Sequence, residues 1–295
     1  MFNKALNIHK YLRRDMYPSI FCVGCGVGSV LNHTLRAVDE LKLDMDKSVF
    51  VSGIGCSSRL PGYIDGNGLH TTHGRAIAFA TGVKLANPEL NVIIFTGDGD
   101  CAAIGGNHLI HAARRNLNLT VIEMNNFNYG MTGGQTSPTT PRGSNTTTSP
   151  YGNFEEPFDL ADLVVGAGAT FVARWPLGYP YETIACIKKG IAHQGFSFIE
   201  ILIPCPTGYT DKNDLKTNKE IWEWYRGNTI LRSKYKLLNE QEQDQNHKLV
   251  IGELRNVQRK EYTTEWAKLV NRLRDEQDRS GRLPTGSPDR RDYGK

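Results

Sequence analysis

The fold is decided by residues 91–100, which read NVIIFTGDGD. The apolar half of this stretch stops at Gly97, which is the pattern of a short buried strand. Residues 101–115 can form a helix, and residues 119–124, LTVIEM, are a second apolar run of strand length. A strand, a helix and another strand in this order predict two parallel neighbours in an α/β sheet.

The same alternation continues on both sides of this centre. The further predicted elements are helix 26–43, strand 48–54, helix 73–86, helix 158–166, strand 170–174, helix 180–193 and strand 196–203. We therefore predict an α/β domain over residues 1–210, with a mostly parallel sheet and helices on both faces. Ligands of such sheets bind outside the carboxyl ends of the strands.

Two polar segments interrupt or follow this pattern. Residues 126–157 are rich in Gly, Pro, Ser, Thr and Asn, and a loop of this length in a compact domain usually covers or lines a site. Residues 211–295 hold 19 of the 35 Lys and Arg residues and 15 of the 31 Asp and Glu residues. We predict that this last part is a charged, partly helical C-terminal extension.

Composition narrows the class of protein. The net charge of +4 is too small to indicate binding of nucleic acid or of a membrane surface. The segment Met1–Ser19 is polar and contains no apolar run, so we expect neither a signal peptide nor a membrane span. We expect a cytoplasmic protein whose six cysteines bind metal or are simply buried, because disulfides are rare in that compartment.

Oxygen-bearing side chains follow both central strands. Asp98 comes directly after the first, within Gly97-Asp98-Gly99-Asp100, and Asn126 closes the second. Adjacent parallel strands would bring these side chains together, where they and the Asn128 carbonyl could bind Mg²⁺ beside a diphosphate. The alternative is that both segments are ordinary turns at strand ends.

Four cysteines also fall in predicted loops. Cys22 and Cys25 form a CxxC loop before the first helix, Cys56 follows a strand in GIGCSSR, and Cys205 follows the last strand in IPCPTGY. Thiolates presented in this way suit Zn²⁺ or a [4Fe–4S] cluster. A CxxC pair by itself is more typical of a zinc knuckle, a redox pair or a chance spacing than of a cluster.

The two motifs together resemble a known family. GDGD followed by NNFNYGMTGGQTSPTTP, and the earlier run HTTHGRAIAFATGVKLANP (70–88), are similar to the thiamine-diphosphate-binding β subunit of 2-oxoacid:ferredoxin oxidoreductases. The resemblance covers roughly residues 18–210. It implies a thiamine-diphosphate-binding fold, and a reaction in which a 2-oxoacid and coenzyme A give an acyl-CoA and CO₂ while ferredoxin is reduced.

The resemblance also implies roles for particular residues. Asp98, Asn126 and Asn128 would hold Mg²⁺, and Cys22, Cys25, Cys56 and Cys205 would hold a [4Fe–4S] cluster. The residues expected to line thiamine diphosphate are Gly97, Asp98, Gly99, Asp100, His73, Gly74, Asn126, Tyr129, Gly130, Met131 and Thr132. His73 and Arg59 are the residues expected to act on the substrate. We expect Cys101 and Cys186 to be small buried residues.

A partner chain is a further implication. Thiamine enzymes need a carboxylate against the aminopyrimidine ring from a second related domain, and only the polar extension follows the α/β unit here. In the family that domain lies on an α subunit or a fused γα subunit, often in a dimer of heterodimers. We expect this chain to be inactive without that partner.

One segment, GIGCSSR, indicates which substrate to expect. GIGCSSR is similar to the 2-oxoglutarate and broad-range members of the family, and Arg59 offers a guanidinium fork for a second carboxylate. We therefore expect 2-oxoglutarate, with pyruvate or a broad range of 2-oxoacids as the alternative. Two other readings stay open at this point: a non-oxidative thiamine-dependent decarboxylase or synthase, and a non-catalytic module with zinc or a cluster.

Overall fold

The apolar runs form one sheet of eight strands in the computed structural model, which describes residues 8–280. The strands are β1 (Ser48–Ser52), β2 (Asn67–His70), β3 (Asn91–Gly97), β4 (Thr120–Asn125), β5 (Phe171–Pro176), β6 (Ser197–Leu202), β7 (Thr229–Leu231) and β8 (Leu249–Asn256). Their order in the sheet is β2-β1-β3-β4-β6-β5-β8-β7. All neighbours are parallel except β5 and β8.

Helices connect these strands. They are α1 (Val27–Leu41), α2 (Ala76–Ala86), α3 (Gly106–Arg115), α4 (Leu160–Ala167), α5 (Pro180–Ala192), α6 (Asn218–Asn228), α7 (Arg232–Tyr235), α8 (Glu240–Asp244) and α9 (Tyr262–Ser280). No helix in the described part of the chain is both long and apolar enough to cross a membrane. Residues 1–7 of the polar N-terminal segment and residues 281–295 of the extension lie outside the described residues.

The sheet has an apolar core on each face. Side chains of α1 and α5 pack on one face, against alternate residues of the central strands such as Phe95 and Ile122. Side chains of α2, α3 and α4 pack on the other face, against the intervening residues such as Ile94 and Val121. Because both faces are covered, the strands are apolar almost throughout. The predicted α/β class, with helices on both faces of a mostly parallel sheet, is confirmed.

The structure differs from the sequence predictions in three places. The helix predicted over residues 101–115 starts with a wider turn, Gly99–Ile104, and becomes regular at Gly106. The short exposed strand β2 was not predicted, because its sequence NGLH has neither an apolar run nor an alternating pattern. The C-terminal extension was predicted to be partly helical, yet its strands β7 and β8 continue the sheet beyond β5. The domain boundary at residue 210 stays a prediction.

A buried ion pair joins β5 and β6 to the start of α4. Arg174 of β5 is 1% exposed, and its Nε donates to Glu200 of β6 at 2.8 Å. The same guanidinium donates to both carboxylate oxygens of Asp159, which caps α4, and to the Val250 carbonyl of β8. Two carboxylates and one carbonyl thus satisfy the buried guanidinium of Arg174, which is the condition for burying a charge at tolerable cost.

A second buried acid lies beside this pair. Glu123 of β4 is directly opposite Glu200 in the parallel register, and neither of its carboxyl oxygens has a hydrogen-bond partner in the described part of the chain. Burial raises the pKa of Glu123 well above its usual range, and the neighbouring Glu200 adds to the rise. Burial and the neighbouring carboxylate thus favour the neutral form of Glu123 beside the pair of Arg174 and Glu200.

Replacement of Arg174 by Met should destabilise the protein by about 3–5 kcal/mol, because Glu200 would keep a buried charge without its cation. The unfolding midpoint in urea measures this loss. Replacing Glu200 by Met in the same variant should recover part of it, since no unpaired charge then stays buried. Arg142→Ala is the control, because Arg142 pairs with Glu156 on the surface and its loss should cost about 1 kcal/mol or less. A loss below about 1 kcal/mol in Arg174→Met would contradict the argument.

Candidate active site

The carboxyl ends of β3 and β4 bring three oxygen atoms together. The two strands pair in parallel up to Gly97 and Met124, so the residues that follow them lie side by side. The side-chain oxygen of Asn126 lies 2.7 Å from the Asn128 carbonyl oxygen and 3.2 Å from Oδ1 of Asp98. These are three acceptors that face one another with no hydrogen between them.

Two arrangements satisfy this group of oxygens. Turning the Asn126 amide would let its NH₂ group donate to both neighbours. A cation between the three oxygens would satisfy them in the orientation found. A carboxylate, an amide oxygen and a backbone carbonyl are hard oxygen ligands of the kind that Mg²⁺ binds beside a diphosphate. The residues present therefore fit the predicted ion.

Two hydroxyl groups of the loop 126–157 fix one oxygen of the Asp98 carboxylate. Asp98 is 2% exposed, and its Oδ2 accepts hydrogen bonds from Ser137 Oγ at 2.5 Å and Thr139 Oγ1 at 2.7 Å. Burial raises the pKa of Asp98 to about 6, although both hydroxyls favour the charged form. A divalent cation at Oδ1 would favour that charged form further.

A cavity opens next to these oxygens, at the carboxyl edge of the sheet. Most of the residues expected to line the cofactor do line this cavity: His73, Gly97, Asp98, Gly99, Asp100, Asn126, Asn128, Tyr129, Gly130, Met131 and Thr132. Gly74 is the exception, and its φ of +71° and its close approach to Ile104 explain why this position is a glycine. Gly99 must also lack a side chain, because a Cβ there would lie 2.2 Å from the Tyr129 ring.

The Asp100 carboxylate, unlike that of Asp98, binds donors from several segments of the protein. It is 4% exposed and accepts hydrogen bonds from His73 Nδ1 at 2.5 Å, Gly74 N at 2.7 Å, Thr96 Oγ1 at 3.0 Å and Ile54 N at 3.2 Å. These donors come from the segments that follow β1 and β2 and from the end of β3 itself. Asp100 therefore joins three loops of the site, and it orients the His73 ring with Nδ1 toward the carboxylate.

The four cysteines expected to bind a cluster lie at the same edge. Burial raises the pKa of the Cys25 thiol to about 11, and the nearby sulfurs of Cys56, Cys205 and Cys22 contribute to this rise. Among residues 8–280, no three His, Cys, Asp or Glu side chains are arranged to hold a single metal ion. A cubane cluster needs a wider arrangement, because each thiolate binds a different iron. A set of four neighbouring thiols fits such a group.

The cysteine set adjoins the cavity. Cys56 is one of the residues that line it. Cys205 adjoins Gly130, another lining residue, because an added Cβ at residue 130 would be 3.2 Å from the Cys205 sulfur. Cys101 and Cys186 are both buried, as expected, and Cys186 accepts a hydrogen bond from Trp175.

Comparison with known proteins places the site in a family. The model for the C-terminal thiamine pyrophosphate binding domain of thiamine pyrophosphate enzymes matches residues 53–201. The chain is 55% identical to the 2-oxoglutarate synthase subunit KorB of Methanothermobacter marburgensis over 85% of this chain and 88% of that one. It is 50% identical to the KorB subunit of Methanocaldococcus jannaschii over 90% of this chain and 98% of that one. This chain belongs to the KorB family of 2-oxoglutarate synthase subunits.

A solved structure agrees with the assignment to the KorB family. The 2-oxoglutarate:ferredoxin oxidoreductase from Magnetococcus marinus, with 2-oxoglutarate, coenzyme A and succinyl-CoA bound, matches with a TM-score of 0.79 and 34% identity. The match covers 92% of each chain. The family resemblance and the thiamine-diphosphate-binding fold predicted from the sequence are therefore confirmed.

Arg59 lies apart from the other predicted residues. It is on the short helical segment Ser57–Tyr63, three residues beyond Cys56, and it does not line the cavity. Its side chain is exposed, and its guanidinium has no hydrogen-bond or ion-pair partner within the described range, 8–280. An exposed guanidinium three residues beyond Cys56, which lines the cavity, could bind an anion, so the predicted role of Arg59 stays a hypothesis.

Sequence reasoning missed the two hydroxyl residues of the site, Ser137 and Thr139. The loop 126–157 was predicted to line a site, but the loop contains many Ser and Thr residues. Nothing in a one-dimensional pattern distinguishes the two that reach Asp98 from those that bond only within the loop.

Proposed function

We propose that this KorB-family chain is the β subunit of a 2-oxoglutarate:ferredoxin oxidoreductase. In the forward direction the enzyme converts 2-oxoglutarate and coenzyme A to succinyl-CoA and CO₂ and reduces ferredoxin, and the reaction is reversible. One observation of the structure carries the proposal: the converging oxygens of Asp98, Asn126 and Asn128 lie beside the same cavity as the cysteine set. Neither a non-oxidative thiamine enzyme nor a zinc module requires both features together.

The residues at the ends of β3 and β4 would hold the cofactor. Asp98, the Asn126 amide oxygen and the Asn128 carbonyl would bind Mg²⁺, and the ion would hold the diphosphate. Backbone N–H groups of the glycine-rich turn after β3 face the same cavity and suit an anionic group. Thiamine diphosphate, when bound, supplies the carbanion-stabilising chemistry that decarboxylation of a 2-oxoacid requires.

His73 is the ionisable side chain best placed to act on a bound substrate. It lines the cavity, and its bond from Nδ1 to Asp100 leaves Nε2 available on the other side of the ring. A carboxylate behind an imidazole fixes the ring orientation and the tautomer. His73 could therefore hold or donate a proton at Nε2 toward groups in the cavity.

Cys22, Cys25, Cys56 and Cys205 would hold a [4Fe–4S] cluster. Such a cluster supplies one-electron transfer, which a decarboxylation coupled to ferredoxin requires. The fold would hold this cluster close to the cavity, because Cys56 lines the cavity and Cys205 adjoins Gly130. Electrons would thus have a short path from the cavity to the cluster and on to ferredoxin near the exposed Cys22.

A partner subunit would complete the site. The cavity in this chain measures about 90 Å³, below the roughly 300–1,000 Å³ typical of pockets that bury most of a ligand. An α subunit or fused γα subunit that supplies the pyrimidine-binding domain would close it. The proposed assembly is a cytoplasmic dimer of such heterodimers.

Anaerobic purification with the subunit from the neighbouring gene tests this proposal. We expect thiamine, about four irons per β chain, and viologen reduction that depends on both 2-oxoglutarate and coenzyme A. Activity on pyruvate alone would keep the family and reject the substrate. Thiamine without iron would reject the oxidoreductase, and turnover by the lone chain would reject the need for a partner.

The cysteine assignments predict which variants lose iron. Cys25→Ser, Cys56→Ser and Cys205→Ser should each lower iron and sulfide content and reduce or remove the electron paramagnetic resonance signal of the reduced cluster, because each removes one of four thiolate ligands. Cys186→Ala, at a buried cysteine beside Trp175, is the matched control and should keep its full iron content. Full iron in any of the three serine variants would remove that cysteine from the ligand set.

Arg59→Ala should raise the KM for 2-oxoglutarate about tenfold or more with a smaller change in kcat, because a charged hydrogen bond to the distal carboxylate is worth about 1.5–3 kcal/mol. Steady-state viologen reduction across a range of 2-oxoglutarate concentrations measures both constants. Arg115→Ala, at the end of α3 on the opposite edge of the sheet, is the control. An unchanged KM in Arg59→Ala would exclude the proposed contact.

A further inference from the structure

We propose that Ser137 and Thr139 are positioning residues for the cation site. Their hydroxyls hold Oδ2 of Asp98, so that Oδ1 stays directed at the position between Asn126 and Asn128. This inference rests on the proposed function, because it takes the cation site of that function as its starting point. Neither residue contacts the ion position itself.

The hydrogen bonds to Asp98 are short and buried. Ser137 and Thr139 are 4% and 2% exposed, and both hydroxyls reach the same carboxylate oxygen, at 2.5 Å and 2.7 Å. Thr139 Oγ1 also lies 3.0 Å from the Asn125 side-chain oxygen, but its single proton goes to the stronger acceptor, the carboxylate. Oδ2 thus accepts hydrogen bonds from two hydroxyls, while Oδ1 lies 3.2 Å from the Asn126 side-chain oxygen.

The loop that carries these hydroxyls is itself held in place. The Thr140 hydroxyl donates to the Phe127 carbonyl at 2.7 Å and accepts from the Ser137 backbone N–H at 2.9 Å. The Asn153 amide donates to the Thr140 carbonyl at 2.8 Å. The segment therefore cannot turn its hydroxyls away from Asp98 without breaking several buried hydrogen bonds.

A further contact anchors the loop to the sheet. Asn125, at the end of β4, accepts from the Phe127 N–H and donates to Glu200 at 2.9 Å. Glu200 is in turn fixed by Arg174. The start of the loop after β4, which carries Asn126 and Asn128, is thus linked to the buried ion pair through Asn125.

Orientation matters because Mg²⁺ requires nearly ideal octahedral geometry, so a carboxylate free to rotate binds it less well. Groups that orient a ligand from behind typically contribute 10–100-fold to metal affinity. The sequence segment SPTT would thus help to set the affinity of the site for its ion without supplying a ligand.

Manganese binding to the assembled enzyme tests this inference. Mn²⁺ serves as the spectroscopic probe, and its free concentration is followed by electron paramagnetic resonance in the presence of thiamine diphosphate. Thr139→Val keeps the shape and removes the hydroxyl, and we expect its Kd for Mn²⁺ to rise about 10–100-fold. Ser137→Ala should show a similar rise, and Thr139→Ser should restore the wild-type value.

Thr148→Val is the matched control on the same loop, because the Thr148 hydroxyl bonds only to Thr136 in the described structure. Its Kd should not change.

An unchanged Kd in Thr139→Val and Ser137→Ala, with tight Mn²⁺ binding by the wild type, would overturn the inference and leave the cation site intact. Failure of the wild type to bind Mn²⁺ would instead overturn the cation site of the proposed function. If Thr139→Val does not fold, Ser137→Ala against Thr139→Ser decides.

Discussion

The arrangement of the site depends on one buried cation. Arg174 lies inside the sheet, where it can be tolerated only because Glu200 and Asp159 both bind it. This requirement ties β5 and β6 to the start of α4 and draws in β8 of the C-terminal extension through the Val250 carbonyl. Glu200 also accepts a hydrogen bond from the Asn125 amide, whose side-chain oxygen accepts from the Phe127 N–H, so the ion pair also fixes the start of the loop that carries Asn126 and Asn128.

The two aspartates of the GDGD turn have different surroundings and therefore different roles. Oδ2 of Asp98 accepts from two loop hydroxyls, whereas Oδ1 lies beside the Asn126 side-chain oxygen, and Asp98 lines the cavity. Asp100, two residues later, accepts hydrogen bonds from protein donors on both carboxylate oxygens. Among these donors are the Ile54 N–H and the Thr96 hydroxyl. One acid therefore remains available to a ligand, while the other assembles the loops around that ligand. Identical side chains acquire different chemistry because their surroundings present acceptors to one and donors to the other.

The cysteine set and the cavity form a single region rather than two sites. Cys56 lines the cavity, and so does Gly130. Cys205 lies beside Gly130, because a Cβ added at residue 130 would meet the Cys205 sulfur. A two-part chemistry, in which a carbon centre loses electrons to a metal cluster, needs these groups within a short distance. The parallel sheet provides this closeness, because the loops after β1, β4 and β6 all emerge at its carboxyl edge.

The sequence by itself determined the α/β class, the family, and the residues at the ends of the central strands, because apolar runs closed by GDGD and NN are local patterns. It also indicated which cysteines lie in loops. Only the tertiary structure decided that the extension adds two strands, that Asp100 binds protein groups, and that Ser137 and Thr139 reach Asp98. These features depend on contacts between residues tens of positions apart, such as Ser137 with Asp98 or Arg174 with Val250, and no local pattern records such contacts.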